Sequence, residues 1–293
     1  MHTITDIREM QRWADDHRRA GRRIGFVPTM GYLHAGHLSL VAEARRRSDV
    51  SVASIFVNPL QFGANEDLAR YPRDLERDSA ALHGAGTDVL FLPEVGAMYP
   101  EGFQTAVTVE RVTTGLCGAS RPTHFRGVAT VVAKLFNLVK PHVAVFGCKD
   151  FQQLVTIRRM VADLGFDIDV VGAPIVREPD GLAMSSRNAY LAPAERRAAR
   201  CLWRALMAAA ALVDGGETDA VRIVAAAQRV LSAEPLARTD YAELVDPDSL
   251  EPVSAVRGPT LLAIAARIGG TRLIDNCVLA NRRAEGSAVD TSN

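Results

Sequence analysis

His34 and His37 stand three residues apart in the string PTMGYLHAGH, where the apolar strand pattern Ile24-Gly25-Phe26-Val27 gives way to helical spacing at Leu38, Val41 and Ala44. A helix start leaves backbone N–H groups unsatisfied and carries the positive end of the helix dipole, so it favours phosphate. Three-residue spacing places both imidazoles on one side of that start. Gly36 between them leaves room for a ligand to come close. Two polar surface histidines on a Gly-rich turn are the plain alternative, and the whole ten-residue string in this position speaks against it.

Three further segments carry side chains suited to the same chemistry. In Phe56-Val57-Asn58-Pro59-Leu60-Gln61-Phe62, Asn58-Pro59 signals a turn, and the Gln61 amide can bind hydroxyl and carboxylate oxygens. In Phe146-Gly147-Cys148-Lys149-Asp150-Phe151-Gln152-Gln153, Lys149 at a strand-to-helix junction suits a triphosphate. Asp150 reads equally as a ribose ligand and as the N-cap of the next helix. A lysine neighbour could also lower the Cys148 thiol pKa, against the plain reading of a buried, inert thiol. Between Arg177 and Asn188, Ser185, Ser186 and Arg187 sit beside a Gly-containing loop and could clamp phosphates. A polar hinge loop is the alternative there.

The elements that must position these residues alternate. Ile24–Val27, Val52–Val57, Asp88–Leu92, Val143–Gly147 and Ile168–Val171 read as strands, with helical patterns through Leu75–Leu82, Val128–Val139 and Leu154–Leu164 between them. That alternation predicts a doubly wound, Rossmann-like parallel sheet, whose ligands bind at the carboxyl ends of the strands beside a switch in strand order. After Arg177 the texture changes. One long Ala-rich helix is expected over Pro193–Val213 and a second over Val221–Leu231. Strands follow at Tyr241–Val245, Leu261–Ile268 and Thr271–Asp275, the pattern of a smaller α+β domain. The expected division is 1–176, a C-terminal lid domain over 177–281, and a disordered tail over 282–293.

Charge narrows the function classes. Lysine plus arginine and aspartate plus glutamate stand at 34 each, giving no electrostatic footprint for nucleic acid or an anionic membrane. No stretch has the length of a membrane span, and MHTITDIREM lacks a signal-peptide core. The four cysteines show no CxxC spacing, which fits a reducing cytoplasm.

Taken together, PTMGYLHAGH, SIFVNPLQF, RPTHFRGV, FGCKDFQQL and VREPDGLAMSSRNAYL resemble, in order and spacing, the pantothenate synthetase (pantoate–β-alanine ligase) family, over the chain up to about Leu279. HAGH and MSSR are also similar to the two signature motifs of the class I aminoacyl-tRNA synthetase and nucleotidyltransferase superfamily. The resemblance implies an AMP-forming ligase that turns pantoate into an adenylate with Mg-ATP and then passes the acyl group to β-alanine. It implies that Met30, Gly31, Tyr32, Leu33, His34, Ala35, Gly36 and His37 form the nucleotide loop, with His37 the candidate proton donor. Gly147, Cys148, Lys149, Asp150, Val176, Met184, Ser185, Ser186 and Arg187 would also contact ATP, with Lys149 on the phosphates, Asp150 on the ribose and Val176 on the adenine. Gln61 and Gln153 would hold pantoate, Gln61 also β-alanine. No protein metal ligand is implied; more acid is expected near the Mg²⁺ of ATP than Arg77-Asp78 offers, leaving the metal mainly on ATP oxygens. Cys117 and Cys148 depart from the family pattern, where glutamate is common. A homodimer is expected. A nucleotidyltransferase acting on a phosphate ester is the main rival, opposed by FVNPLQF and FGCKDFQQL, while a tRNA-binding module or an inactive scaffold fits poorly.

Overall fold

The computed structural model describes residues 1–64 and 66–280. These form two compact units. The first holds 1–64, 66–114, 118–176 and 184–186; the second holds 115–117, 177–183 and 187–280. The tail expected over 282–293 lies outside the described residues.

The first unit is a six-stranded parallel sheet of β1 (His2–Ile4), β2 (Ile24–Thr29), β3 (Val50–Ile55), β4 (Val89–Phe91), β5 (Val143–Gly147) and β6 (Asp169–Ala173), in the order β1-β4-β3-β2-β5-β6. Its helices are α1 (Ile7–Arg19), α2 (Ala35–Arg46), α3 (Leu75–Gly84), the short α4 (Val95–Met98) and α5 (Cys117–Ser120), α6 (His124–Val139) and α7 (Phe151–Leu164). Strand residues alternate between faces. Val27, Ala53, Leu90, Val143 and Val145 pack with Leu40, Val41 and Ala44 of α2 and Leu82 of α3. Phe26 and Phe146 face the other way, edge-on to Phe136 of α6 with ring centroids 6.5 and 6.4 Å away. Both faces are thus covered, as the continuous apolar runs predict. Four elements are absent from the sequence reading, β1, α1 and the one-turn helices α4 and α5. A three-residue strand is too short to show a period, and α1 carries a polar face rich enough to mask its buried Met10 and Ala14.

The chain passes from β2 outward through β3 to β4, then returns to the opposite side of β2 for β5. The switch in strand order therefore lies between β2 and β5. The ladder there is short: β2 pairs with β3 over six residues from Ile24 to Thr29, but with β5 only at Gly25 and Phe26. Pro28 has no N–H to donate, and beyond Phe26 the two strands part.

The second unit is an antiparallel sheet of β7 (Ala237–Val245), β8 (Thr260–Ile268) and β9 (Thr271–Leu279), with α8 (Pro193–Ala198), α9 (Cys201–Asp214) and α10 (Ala220–Ser232). Leu202 and Leu206 of α9, Ile223 and Leu231 of α10, and Leu262 and Ile264 of β8 share one core. The single helix expected over 193–213 is two helices. Arg200 N–H donates to Arg197 and Leu202 N–H to Ala199, i→i+3 bonds that tighten the chain between α8 and α9. Alanine-rich sequence favours helix on either side of such a break and gives no sign of it.

Gly127, in the first turn of α6, is where that helix meets the turn carrying Gln61. A methyl group there would lie 2.6 Å from the Gln61 backbone nitrogen and closer still to the Leu60 carbonyl. Gly127→Ala is expected to destabilise the protein by about 1–3 kcal/mol, read from denaturant midpoints.

Candidate active site

The carboxyl end of β2 runs into a loop that is held from both sides. Gly31 (φ 82°) and Tyr32 (φ 51°) take left-handed conformations, and only at Gly31 is this free of steric cost. The cost at Tyr32 is met by Asp78 of α3. Its buried carboxylate accepts from the Tyr32 N–H (2.5 Å) and the Leu33 N–H (2.8 Å). Arg77 donates to the Leu33 carbonyl (2.8 Å), and its guanidinium lies over the Tyr32 ring, 4.2 Å from the centroid. From the other side the Ser186 hydroxyl donates to the Tyr32 carbonyl (3.1 Å).

His34 and His37 then cap α2 reciprocally. His34 is the N-cap, and its Nδ1 accepts from the Gly36 N–H at 3.1 Å. The His37 Nδ1 accepts from the His34 N–H at 3.3 Å. This is a capping box in which histidines replace the usual hydroxyl and carboxylate. Each Nδ1 is an acceptor, so the neutral ring carries its proton on Nε2. The rings sit with centroids 4.1 Å apart, as their spacing predicts. Gly36 serves this arrangement more than ligand access: a Cβ there would come 2.9 Å from the His34 ring.

The carboxyl end of β5 brings Lys149 and Asp150 to the same place. Burial first, then the Lys149 ammonium, lowers the His34 pKa to about 4. Burial, the His34 ring and Lys149 lower His37 to about 3, while Asp150 opposes both shifts. Both imidazoles are therefore neutral donors near neutral pH, not imidazolium acids. Asp150 stands at the N-cap of α7, yet its side chain makes no cap bond; the carboxylate is half-exposed, 3.8 Å from the Lys149 ammonium. The N-cap reading of its side chain is thus overturned. So is the reactive-thiol reading of Cys148, whose pKa burial pushes up against the weaker pull of Arg158.

Gln61 closes this side of the crevice. Its amide nitrogen lies 3.2 Å from the Met30 sulfur, and its amide oxygen accepts from Asn58 (3.0 Å), which also donates to the Gly127 carbonyl. Tyr99 in turn donates to Asn58 (2.8 Å). The Gln61 carbonyl receives Arg121 (3.2 Å) and contacts the His124 Nδ1 (2.9 Å), and Arg121 pairs with Glu66 at 2.6 Å. Burial, then Arg121, lowers His124 to about 4. Sequence reasoning read Asn58 only as part of a turn and assigned no role to Tyr99, Arg121 or His124; the string RPTHFRGV was the one signal for the last two. Of the paired glutamines, Gln152 is buried with its amide on the Val112 carbonyl (2.9 Å), whereas Gln153 is half-buried with no side-chain hydrogen bond among the described residues. Val176 and Met184 are joined by a backbone hydrogen bond (3.0 Å). Ser185 is half-buried, and Arg187 belongs to the second unit.

The crevice thus offers two neutral N–H donors at a helix start, an ammonium and an amide. That set fits an anion on which charge grows during reaction. A family model described as pantoate-beta-alanine ligase matches residues 2–278. A pantothenate synthetase of Geobacter sulfurreducens is 60% identical over 95% of this chain and 99% of its own, and one of Syntrophobacter fumaroxidans is 61% identical over the same shares. The crystal structure of pantothenate synthetase from Thermus thermophilus superposes with a TM-score of 0.89 at 51% identity, covering 94% of this chain and 99% of that one. That of pantoate-beta-alanine ligase from Francisella tularensis, complexed with beta-gamma ATP and β-alanine, gives 0.78 at 31% identity, covering 95% and 97%.

The histidine pKa values set a pH dependence. Unfolded histidines titrate near 6.5, while folded His34, His37 and His124 titrate at about 4, 3 and 4. Between those values the unfolded chain binds more protons, so stability is complete above pH 6.5 and declines as pH falls toward 4. Urea midpoints across about pH 7 to 4.5 are expected to drop, with a visibly flatter decline in His37→Gln/His124→Gln.

Proposed function

Because the chain belongs to the pantoate-beta-alanine ligase family, we propose how its residues divide the work of that reaction. The reaction is the ATP-dependent condensation of pantoate with β-alanine to pantothenate, through pantoyl adenylate, releasing pyrophosphate and AMP. In the first step a pantoate carboxylate oxygen bonds to the α-phosphorus as the bond to pyrophosphate breaks. In the second the β-alanine nitrogen bonds to the acyl carbon, AMP departs with the anhydride oxygen, and the ammonium proton passes to solvent.

The observation that carries the assignment is the convergence of His34, His37, Lys149 and Asp150 at the switch point between β2 and β5. In this reading Met30 to His37 cradle the triphosphate, and the two Nε2–H groups donate to oxygens of the α-phosphate and the leaving pyrophosphate. They stabilise growing charge by hydrogen bonding, and His37 is the candidate proton donor that the family resemblance implies. Lys149 neutralises the phosphates, Asp150 takes the ribose hydroxyls, and Gly147 and Cys148 line the same turn. The backbone of Val176 meets the adenine, while Met184, Ser185, Ser186 and Arg187 meet the triphosphate. Gln61 and Gln153 hold the hydroxyls and carboxylate of pantoate, with Gln61 reaching the β-alanine position. Mg²⁺ enters with ATP. Asp78, the buried acid beside the loop, gives its oxygens to loop amides, and among the described residues no three His, Cys, Asp or Glu side chains gather as a cradle. By the family resemblance the ion would be held mainly by the phosphate oxygens of ATP. The family resemblance also supports a cytoplasmic homodimer, and no helix among the described residues is long and apolar enough to cross a membrane.

Purified protein given Mg-ATP and pantoate without β-alanine should release a burst of about one pyrophosphate per site, then turn over steadily once β-alanine is added. The absence of any pantoate-dependent pyrophosphate would overturn the assignment. His37→Ala and Lys149→Ala should each remove about 3–5 kcal/mol of transition-state stabilisation, a loss of roughly two to four orders of magnitude in adenylation rate with the fold intact. Single-turnover kinetics with circular dichroism checks both halves of that expectation.

A further inference from the structure

Between Val176 and Met184, two residues assigned above to the nucleotide, the chain makes a seven-residue excursion that belongs to the second unit. Its first residue is Arg177. The guanidinium forms a two-pronged pair with Asp275 of β9, Nη1 to Oδ2 at 2.7 Å and Nη2 to Oδ1 at 2.9 Å. Nη1 also donates to the Gly181 carbonyl (3.0 Å), across the excursion, and the charged plane lies 4.1 Å from the centre of the Trp203 ring. Asp275 is 2% exposed, so the pair is shielded from water on its acidic side.

The rest of the excursion is fastened around that pair. Gly181 has φ 93°, and a Cβ there would strike the Trp203 indole. Leu182 is buried in the core of the second unit, and Asp180 pairs with Arg196 at 2.8 Å. The two ends meet twice, in a bridge between Arg177 and Ala183 and in the hydrogen bond from Met184 N–H to the Val176 carbonyl. The loop therefore has one shape, set by a planar fork between a carboxylate, a carbonyl and an aromatic face. An ammonium cannot span those partners at once.

We infer that Arg177 is a positioning residue for ATP: by clamping the loop onto Asp275 and Trp203 it fixes where Val176 and Met184–Ser186 stand at the loop's two ends. The inference rests on the assignment of those ends to the nucleotide. It differs from a purely stabilising ion pair in one respect. A stabilising pair affects all substrates alike through the folded fraction, whereas a positioning clamp acts on ATP and leaves pantoate largely untouched.

Initial rates of pyrophosphate release settle this, with ATP and pantoate varied separately. Arg177→Lys and Asp275→Asn are expected to raise the KM for ATP about tenfold or more while the KM for pantoate stays within about twofold, in protein whose circular dichroism matches the parent. A lowered Tm with the parent's ATP KM in both variants would overturn the inference. Should both fail to fold, Arg196→Ala, which breaks only the pair to Asp180 on the same loop, carries the test: a roughly threefold rise in ATP KM upholds the clamp and an unchanged value refutes it. Ser185→Ala in the same assay reports on the underlying assignment. If it raises the ATP KM and the clamp variants do not, the clamp alone fails; if none of them does, the loop ends are not at the nucleotide.

Discussion

The parting of β2 from β5 is the constraint on which the site depends. A parallel sheet is otherwise sealed along its length by ladder hydrogen bonds, and helices cover both of its faces. Here the ladder between β2 and β5 lasts two residues, and Pro28 denies it a further donor. Because the strand order also reverses at this seam, the loops that follow β2 and β5 leave in different directions and open a crevice between them. The histidines, the lysine and the aspartate assigned to the nucleotide in the first unit all hang on one of those two loops.

Opening a crevice is of little use unless its walls hold still, and the wall after β2 is stiffened from several directions. Its backbone passes through two left-handed residues, the second a tyrosine, and a buried aspartate ties down the amides there. Reciprocal capping by two histidines then begins α2. Serine and glutamate would cap the helix as well, but they would present a hydroxyl and a negative charge to the ligand. Histidine caps with one nitrogen and offers the other as a donor, so a single side chain closes the helix and still presents an N–H group. Neutrality is part of the design. Burial and the neighbouring ammonium keep the imidazoles unprotonated, and their Nε2–H groups need no proton transfer to meet growing negative charge.

The turn that carries Gln61 is organised differently. Gln61 is oriented by a chain of partners running from Tyr99 through Asn58, while its backbone carbonyl is gripped from α6 and the turn before it. Such a network holds an amide in one orientation, which matters because the two ends of an amide have opposite hydrogen-bonding character. The second unit shows a comparable convergence around Arg177, where one guanidinium serves a carboxylate, a carbonyl and an aromatic ring together.

Much of this protein was legible in the order of its residues, because the signals concerned are local. Strand and helix periods, the helix start at HAGH and the junction at Lys149 depend on neighbours a few residues away, so the doubly wound sheet and the polar side chains beside its switch point could be read directly. The break between α8 and α9 and the three-residue β1 escaped because neither changes a period. Other features exist only once the chain has folded. That Asp78 braces the loop after β2, that Gln152 is committed to Val112, and that Asp150 leaves its cap unbonded all depend on contacts distant in sequence or on a geometry that spacing does not encode. The protonation of the histidines belongs to the same class. It is set by burial and by charges from another strand's loop, and a pKa is a property of surroundings that the order of residues leaves unstated.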